Sequence, residues 1–273
     1  MINCKGDLID FATPKVMGIL NITPDSFYDG GRYASHKLII TQVEKMLNDG
    51  ATFIDIGGYS SRPGAKHIST SEELERVLPI VELIIKHFPD CYISIDTFRS
   101  EVAKACITAG ACMINDISAA SMDEHMLPTV AALQVPYIMM HMQGTPQTMQ
   151  LNPEYDNIVT DVIYYFSKKI AEARTLGIND LIIDPGFGFG KTIAHNYTML
   201  KHLDLFLNLD VPVLAGLSRK SMIYKVLETN PEEALNGTTA LHMTALLKGA
   251  HILRAHDVKE AVECVTLFKQ MNI

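Results

Sequence analysis

Eight short apolar runs in this chain stop at residues able to hold a proton, a charge or a hydrogen bond. Val16–Leu20 ends at Asn21, Thr52–Ile54 at Asp55, Tyr92–Ile95 at Asp96 and Cys112–Ile114 at Asn115. Pro136–Met140 runs into His141, Leu181–Ile183 into Asp184, and His251–Leu253 into Arg254-Ala255-His256. Pro212–Ala215 is followed by Gly216-Leu217-Ser218-Arg219-Lys220. Any one carboxylate placed after a strand commonly caps the next helix, and Asp55 suits that role. The whole set is harder to read as capping: carboxylates at Asp55, Asp96 and Asp184, amides at Asn21 and Asn115, Lys220, Arg254, and imidazoles at His141 and His256. So many hydrogen-bonding groups ending strands together point to an active or binding site.

Three glycine-rich segments accompany these residues. Asp184-Pro-Gly-Phe-Gly-Phe-Gly-Lys191-Thr192 fails as a P-loop, because only three residues separate Gly186 from Gly190. It fails as a dinucleotide fingerprint as well, its third glycine falling one residue early. The expected role is a tight loop whose backbone approaches a flat ligand, with Phe187 or Phe189 packing on it. Asp55-Ile-Gly-Gly-Tyr-Ser-Ser-Arg-Pro-Gly-Ala65 brings hydroxyls and Arg62 into an anion-friendly loop. Gly216 to Ser221 places two cations near a helix start and, with Arg254 and His256, resembles a phosphate site. The stretch Met17 to Gly31 adds Asn21 and a long polar loop containing Phe27 and Tyr28, the pattern of a lid or binding loop.

The elements that must position these residues follow from periodicity. β-Branched apolar runs alternate with helical-period segments near 36–49, 72–87, 99–109, 124–132, 155–176, 193–207, 219–227, 232–248 and 257–270. Ser35, Ser71 and Asp123 are candidate caps, and Gly50, Gly110, Gly177 and Gly249 fall where C-terminal glycines are expected. About eight strand–helix units in about 250 residues match a (β/α)8 TIM barrel, with an extra helix between strands 7 and 8. In a barrel every strand end named above faces one mouth, where such enzymes keep their active sites. A doubly wound open sheet is the alternative. Residues 1–273 read as a single domain, with no linker or repeat.

Composition narrows the class. A formal net charge of −8 argues against non-specific nucleic-acid binding. The five cysteines, Cys4, Cys91, Cys106, Cys112 and Cys264, form no CxxC pair and are expected to be buried thiols in a reducing compartment. No secretory signal or membrane-length apolar segment is visible, so a cytoplasmic location is expected and the Asn21, Asn196 and Asn236 sequons are chance. His36, His67, His87, His125, His195, His202 and His242 show no paired spacing for a closed metal site. A hard cation held through Asn21 and a substrate phosphate would leave such a sparse signature.

With these residues laid out, the chain from about Lys15 to its end resembles the dihydropteroate synthase family, pterin-binding transferases of folate biosynthesis and sulfonamide targets. The resemblance rests on MGILNITPDSFYDGG, DIGGYSSRPGA, SIDTFRSEVA, INDIS, MMHMQGTPQTMQ, DPGFGFGK, LAGLSRKS and RAHDV, in that order. It implies a TIM barrel that condenses 7,8-dihydropterin-6-ylmethyl diphosphate with 4-aminobenzoate. By family correspondence Asp96, Asn115, Met139, Asp184, Phe189, Gly216, Lys220 and Arg254 would bind the pterin. Asn21, Arg62, Arg254 and His256 would bind diphosphate, with Asn21 as the ligand of a Mg²⁺ cofactor. Ser61, Arg62, Pro63, Phe189, Lys220 and Ser221 would hold the aminobenzoate, under loops at 21–35 and 57–70. Asp96, Lys220, Arg254 and His256 would carry catalysis. A homodimer is implied by family analogy. Many relatives have an acidic residue in place of Tyr59, and Thr in place of Ser61; the serine keeps the hydroxyl.

Two other classes fit parts of the pattern. A pterin-binding methyltransferase serving a corrinoid partner shares barrel and pocket, but predicts no diphosphate site or Ser-Ser-Arg-Pro loop. A non-catalytic pterin-binding paralogue predicts eroded loops at 21–31 and 57–64, which are intact.

Overall fold

The β-branched runs form a ring of parallel strands. The structure, a computed structural model, describes residues 1–22, 31–60, 67–146, 148–149 and 153–271. A hairpin of β1 (Ile2–Cys4) and β2 (Asp7–Ile9) precedes the ring. The ring consists of β3 (Lys15–Asn21), β4 (Phe53–Gly57), β5 (Tyr92–Asp96), β6 (Met113–Asp116), β7 (Tyr137–Met140), β8 (Leu181–Asp184), β9 (Leu214–Ala215) and β10 (Ile252–Ala255). Its order is β8-β7-β6-β5-β4-β3-β10-β9, and a parallel bridge between Ile183 and Val213 joins β8 to β9. This is the expected (β/α)8 barrel.

Around it run α1 (Gly31–Asn48), α2 (Thr70–His87), α3 (Ser100–Thr108), α4 (Met126–Leu133), α5 (Ile158–Thr175), α6 (Ile193–Lys201), a 3-10 segment (Leu203–Leu209), α7 (Ser221–Tyr224), α8 (Leu235–Leu247) and α9 (Val258–Met271). The extra helix between the last two barrel strands is present as the pair α7 and α8. The segment read as one helix over 193–207 breaks at His202. Caps differ from expectation too. Ser69, not Ser71, accepts the Glu72 N–H at 3.2 Å, and α1 starts ahead of Ser35. Asp123 accepts the backbone N–H groups of Ser100 and His125, at 2.7 and 2.9 Å, instead of capping α4.

Side-chain alternation along the strands builds the barrel in layers. The outer faces, among them Val16, Leu20, Ile54, Ile56, Ile93, Ile95, Ile114, Ile183 and Leu253, pack under the helices. The inner faces begin with an apolar floor of Met17, Phe53, Met113, Ile138, Ile182, Leu214 and Ile252, plugged from below by Ile2, Cys4 and Ile9 of the hairpin. That hairpin turns through Lys5 (φ 55°) and Gly6 (φ 92°), the paired positive angles of a two-residue tight turn. Burying each large floor residue stabilises the closed end by about 1.5–3 kcal/mol. Two residues further along, the same inward face carries Asp55, Ser94, Asn115, Met140, Asp184, Gly216 and Arg254. The next inward step carries Asn21, Gly57 and Asp96. The polar mouth therefore stands on an apolar floor.

Candidate active site

Arg254 spans the mouth. Its Nε donates to Asp55 Oδ2 at 2.6 Å and its Nη2 to Asp96 Oδ2 at 2.7 Å. Asp55 Oδ2 also accepts from Asn115 Nδ2 at 3.0 Å. Asp55 is 0% exposed, and Ser69 caps the helix that follows, so Asp55 is instead the buried anchor of the arginine. Its Oδ1 and the neighbouring Ser94 Oγ are buried and have no hydrogen-bond partner among the described residues. The ion pairs outweigh the effect of burial on Arg254 and raise its pKa, locking in the positive charge. Burial pushes the Asp96 carboxyl up to about 7, against the pull of Arg254 and with added repulsion from Asp55.

Asp184 and Lys220 close the opposite side. Asp184 Oδ1 accepts the Gly186 N–H at 2.7 Å. Burial raises the Asp184 pKa, with Lys220 opposing. Lys220 Nζ donates to the Phe187 carbonyl at 2.5 Å and lies 4.8 Å from the Phe189 ring centroid. Burial lowers its pKa to about 8, Asp184 opposing. A Cβ at Gly216 would lie 3.5 Å from Asp184 Oδ2 and 3.6 Å from Lys220 Nζ, so the glycine leaves the wall between them open to a flat ligand. At the rim, a Cβ on Gly57 would lie 3.6 Å from Asp96 Oδ2 and 3.7 Å from Asn21 Oδ1, which places both oxygens over one small space. His256 follows β10; its Nδ1 lies 3.0 Å from Ser218 Oγ, which also accepts the His256 backbone N–H at 3.2 Å. Ser221 opens α7 directly after Lys220.

Three expectations change. Met139 belongs to the outer, helix-facing core and is 0% exposed; the inward methionine one residue on, Met140, packs with Tyr59, Ile68, Phe98, Ile117 and Phe189 at the mouth. Met139 is therefore not a pterin contact, since a shift of one residue along a strand reverses the face. Phe187 is 0% exposed in the core, which leaves Phe189 as the ring beside the mouth. Arg219 does not serve a phosphate site: it forks onto both Asp257 oxygens at 2.8 and 2.9 Å and donates to the Pro231 and Glu232 carbonyls. Tyr59 fills its place with an edge contact to Phe98, ring centroids 5.1 Å apart. Ser61, Arg62 and Pro63, and the lid at 23–30, lie outside the described residues.

All five cysteines are buried and unpaired. Among the described residues no group of three or more His, Cys, Asp or Glu could hold a metal, and no helix is long and apolar enough to cross a membrane.

A buried donor–acceptor set on a barrel floor, beside an arginine at the rim, defines a site for a flat, hydrogen-bonding heterocycle. The chain belongs to the pterin-binding enzyme family, whose description matches residues 17–256. It is similar to the dihydropteroate synthase of Escherichia coli strain K12, 46% identical over 263 residues, 96% of this chain and 93% of that one. The Haemophilus influenzae dihydropteroate synthase is 48% identical over 252 residues, covering 92% of this chain and 91% of its own. Among solved structures, a Yersinia pestis dihydropteroate synthase with a sulfonamide drug complex superposes at a TM-score of 0.93 with 42% identity, covering 99% of this chain and 98% of that one. A Xanthomonas albilineans dihydropteroate synthase in complex with 7,8-dihydropteroate superposes at 0.89 with 38% identity over 99% and 98% of the two chains. These relatives support the synthase reading and not the corrinoid one.

Proposed function

We propose that this barrel condenses 7,8-dihydropterin-6-ylmethyl diphosphate with 4-aminobenzoate, giving 7,8-dihydropteroate and diphosphate. The carrying observation is the convergence of Asp96, Asn115, Asp184 and Lys220 around a mouth crossed by Arg254, in a chain similar to dihydropteroate synthases over nearly its whole length. Pterin N–H groups match the carboxylates of Asp96 and Asp184 and the amide oxygen of Asn115, and pterin acceptors match the Lys220 ammonium. Phe189 and Lys220 then border both the pterin and the aminobenzoate, and family correspondence assigns Ser61, Arg62, Pro63 and Ser221 to the aminobenzoate.

Arg254 Nη2 occupies one Asp96 oxygen, so an incoming pterin competes with it for that acceptor. The Nε bond to buried Asp55 holds the base of the guanidinium, so the outer nitrogens swing toward the ring face and the diphosphate. In the reaction the aniline lone pair forms the new C–N bond as the methylene C–O bond to diphosphate breaks. The ammonium proton leaves to solvent. Charge grows on the departing diphosphate, and Arg254 and the His256 donor at the rim stabilise it, with Arg62 joining them by family correspondence. Asp96 stabilises positive charge developing on the pterin methylene.

Asn21 offers a single neutral oxygen at the rim, which fits Mg²⁺ only as one ligand among water and substrate oxygens. When bound there, Mg²⁺ supplies positive charge to the leaving diphosphate. We also propose a homodimer in the cytoplasm. Leu205, Leu207 and Leu247 are exposed apolar side chains available to a second copy, and light scattering would report the dimer as a doubled mass. The functional test is direct: purified protein with Mg²⁺ and both substrates forms dihydropteroate and diphosphate in equal amounts. Pterin binding without product would refute the reading.

A further inference from the structure

Lys191 closes the glycine-rich loop, faces no assigned ligand, and is 4% exposed. Its Nζ lies 2.9 Å from His141 Nδ1, 3.2 Å from the His141 carbonyl and 2.9 Å from the Phe189 carbonyl. An ammonium has three N–H donors, and this one meets three acceptors. His141 is held to serve as an acceptor. The residue is 7% exposed, and Tyr165 meets its ring edge-on with centroids 4.9 Å apart. Burial, aided by the Lys191 charge, drives the imidazole pKa down to about 2, so it stays neutral. Burial also lowers Lys191 itself to about 7.

The pair ties the end of β7 to the loop after β8, and the fit is tight. Gly186 has φ 71°, and a Cβ there would stand 2.0 Å from the His141 carbonyl oxygen; only glycine allows that approach. A Cβ on Gly190 would stand 3.0 Å from both the backbone N and O of Gln143. The loop fastened in this way presents the Phe187 carbonyl and the Phe189 ring, the two groups that meet the Lys220 ammonium.

We propose that Lys191 is a positioning residue for the pterin site: by clamping His141 and the Phe189 carbonyl it fixes the loop that aims Lys220. It touches neither substrate and acts only through that loop. The inference rests on the functional reading of Lys220 given above.

A double-mutant cycle separates this from a general structural role. The readout is the affinity for 7,8-dihydropterin-6-ylmethyl diphosphate, by calorimetric titration of wild type, Lys191→Met, Lys220→Met and the double variant. A charged hydrogen bond such as that of Lys220 to the pterin is worth about 10- to 150-fold in affinity, and misaiming it forfeits most of that, so Lys191→Met should weaken binding about 10- to 100-fold. In the Lys220→Met background the same change should cost less than about threefold. An equal cost in both backgrounds overturns the proposal. Should Lys191→Met fail to fold by circular dichroism, His141→Leu removes one of the three acceptors and is run through the same cycle under the same criterion. Wild-type affinity in Lys220→Met alone would overturn the functional reading of Lys220, and this proposal with it.

Discussion

Replacing Asp55 by Asn should damage turnover although Asp55 lies below the substrates. The side chain is fully buried, and its Oδ2 accepts from Arg254 Nε at 2.6 Å and Asn115 Nδ2 at 3.0 Å, while Oδ1 has no partner among the described residues. An asparagine can keep its oxygen at the Oδ2 position and both hydrogen bonds, with its NH2 at the vacant Oδ1 position. What it loses is the negative charge. A hydrogen bond to a charged group is worth roughly 1.5–3 kcal/mol, and the neutral version keeps about 1 kcal/mol of that, so the direct loss is about 0.5–2 kcal/mol. Arg254 would then commit to Asp96, its remaining carboxylate, and compete with the incoming pterin. The two effects together give a fall in kcat/KM for the pterin diphosphate of about 30- to 100-fold, since 1.36 kcal/mol is a factor of ten. The KM for 4-aminobenzoate, measured at saturating pterin, should change less than about threefold. The acid limb of the pH profile should also move down, because Asp55 no longer repels charge on Asp96. Steady-state kinetics with each substrate varied in turn would measure this. A kcat/KM within twofold of wild type would refute the view that Asp55 holds Arg254 ready.

The pH profile of kcat/KM reports the free enzyme. Asp96 must be ionised to accept pterin N–H groups, and burial sets it near 7. Activity should therefore fall as pH drops through about 7. Lys220 must keep its proton, so activity should fall again above about 8; a flat profile between pH 6 and 9 would contradict both assignments. His242 is 1% exposed with an unpartnered Nε2, and burial lowers its pKa from 6.5 to about 4. The unfolded chain then binds the extra proton first, so stability is full above about 6.5 and declines on acidification toward 4, by about 3 kcal/mol from this group. Urea melts of His242→Leu should show a shallower loss across that window, and an unchanged slope would contradict it. Chelation of Mg²⁺ by EDTA should abolish turnover, with binding of a diphosphate-free pterin unchanged within about twofold by fluorescence.

Much of this site was legible because a period of two and a shared strand direction put every strand end at one mouth. Asn21, Asp96, Asn115, Asp184, Lys220, Arg254 and His256 all lie where that rule places them. Single-residue choices of face were less legible: Met139 and Met140 are chemically identical, and only packing against the helices separates them. Asp55 was visible as a polar strand end, but its role depends on Arg254, 199 residues away in the chain. The charge on Arg219 likewise gave no hint that Asp257 would take its Nε and Nη2. The floor hairpin escaped notice because its strands are three residues each, too short for alternation to register. Lys191 looked like part of a failed phosphate loop, and only its contacts with His141 show where its ammonium goes.

The central claim, that the mouth side chains hold the pterin, is tested most directly by titrating 7,8-dihydropterin-6-ylmethyl diphosphate into wild type and Asp184→Asn. Asp184 keeps its loop contact through Oδ1, which an asparagine oxygen can replace, so folding should be preserved. Loss of a charged acceptor costs about 1.5–3 kcal/mol, which predicts binding weaker by about 10- to 150-fold. Affinity equal to wild type, with the variant folded, would contradict the account.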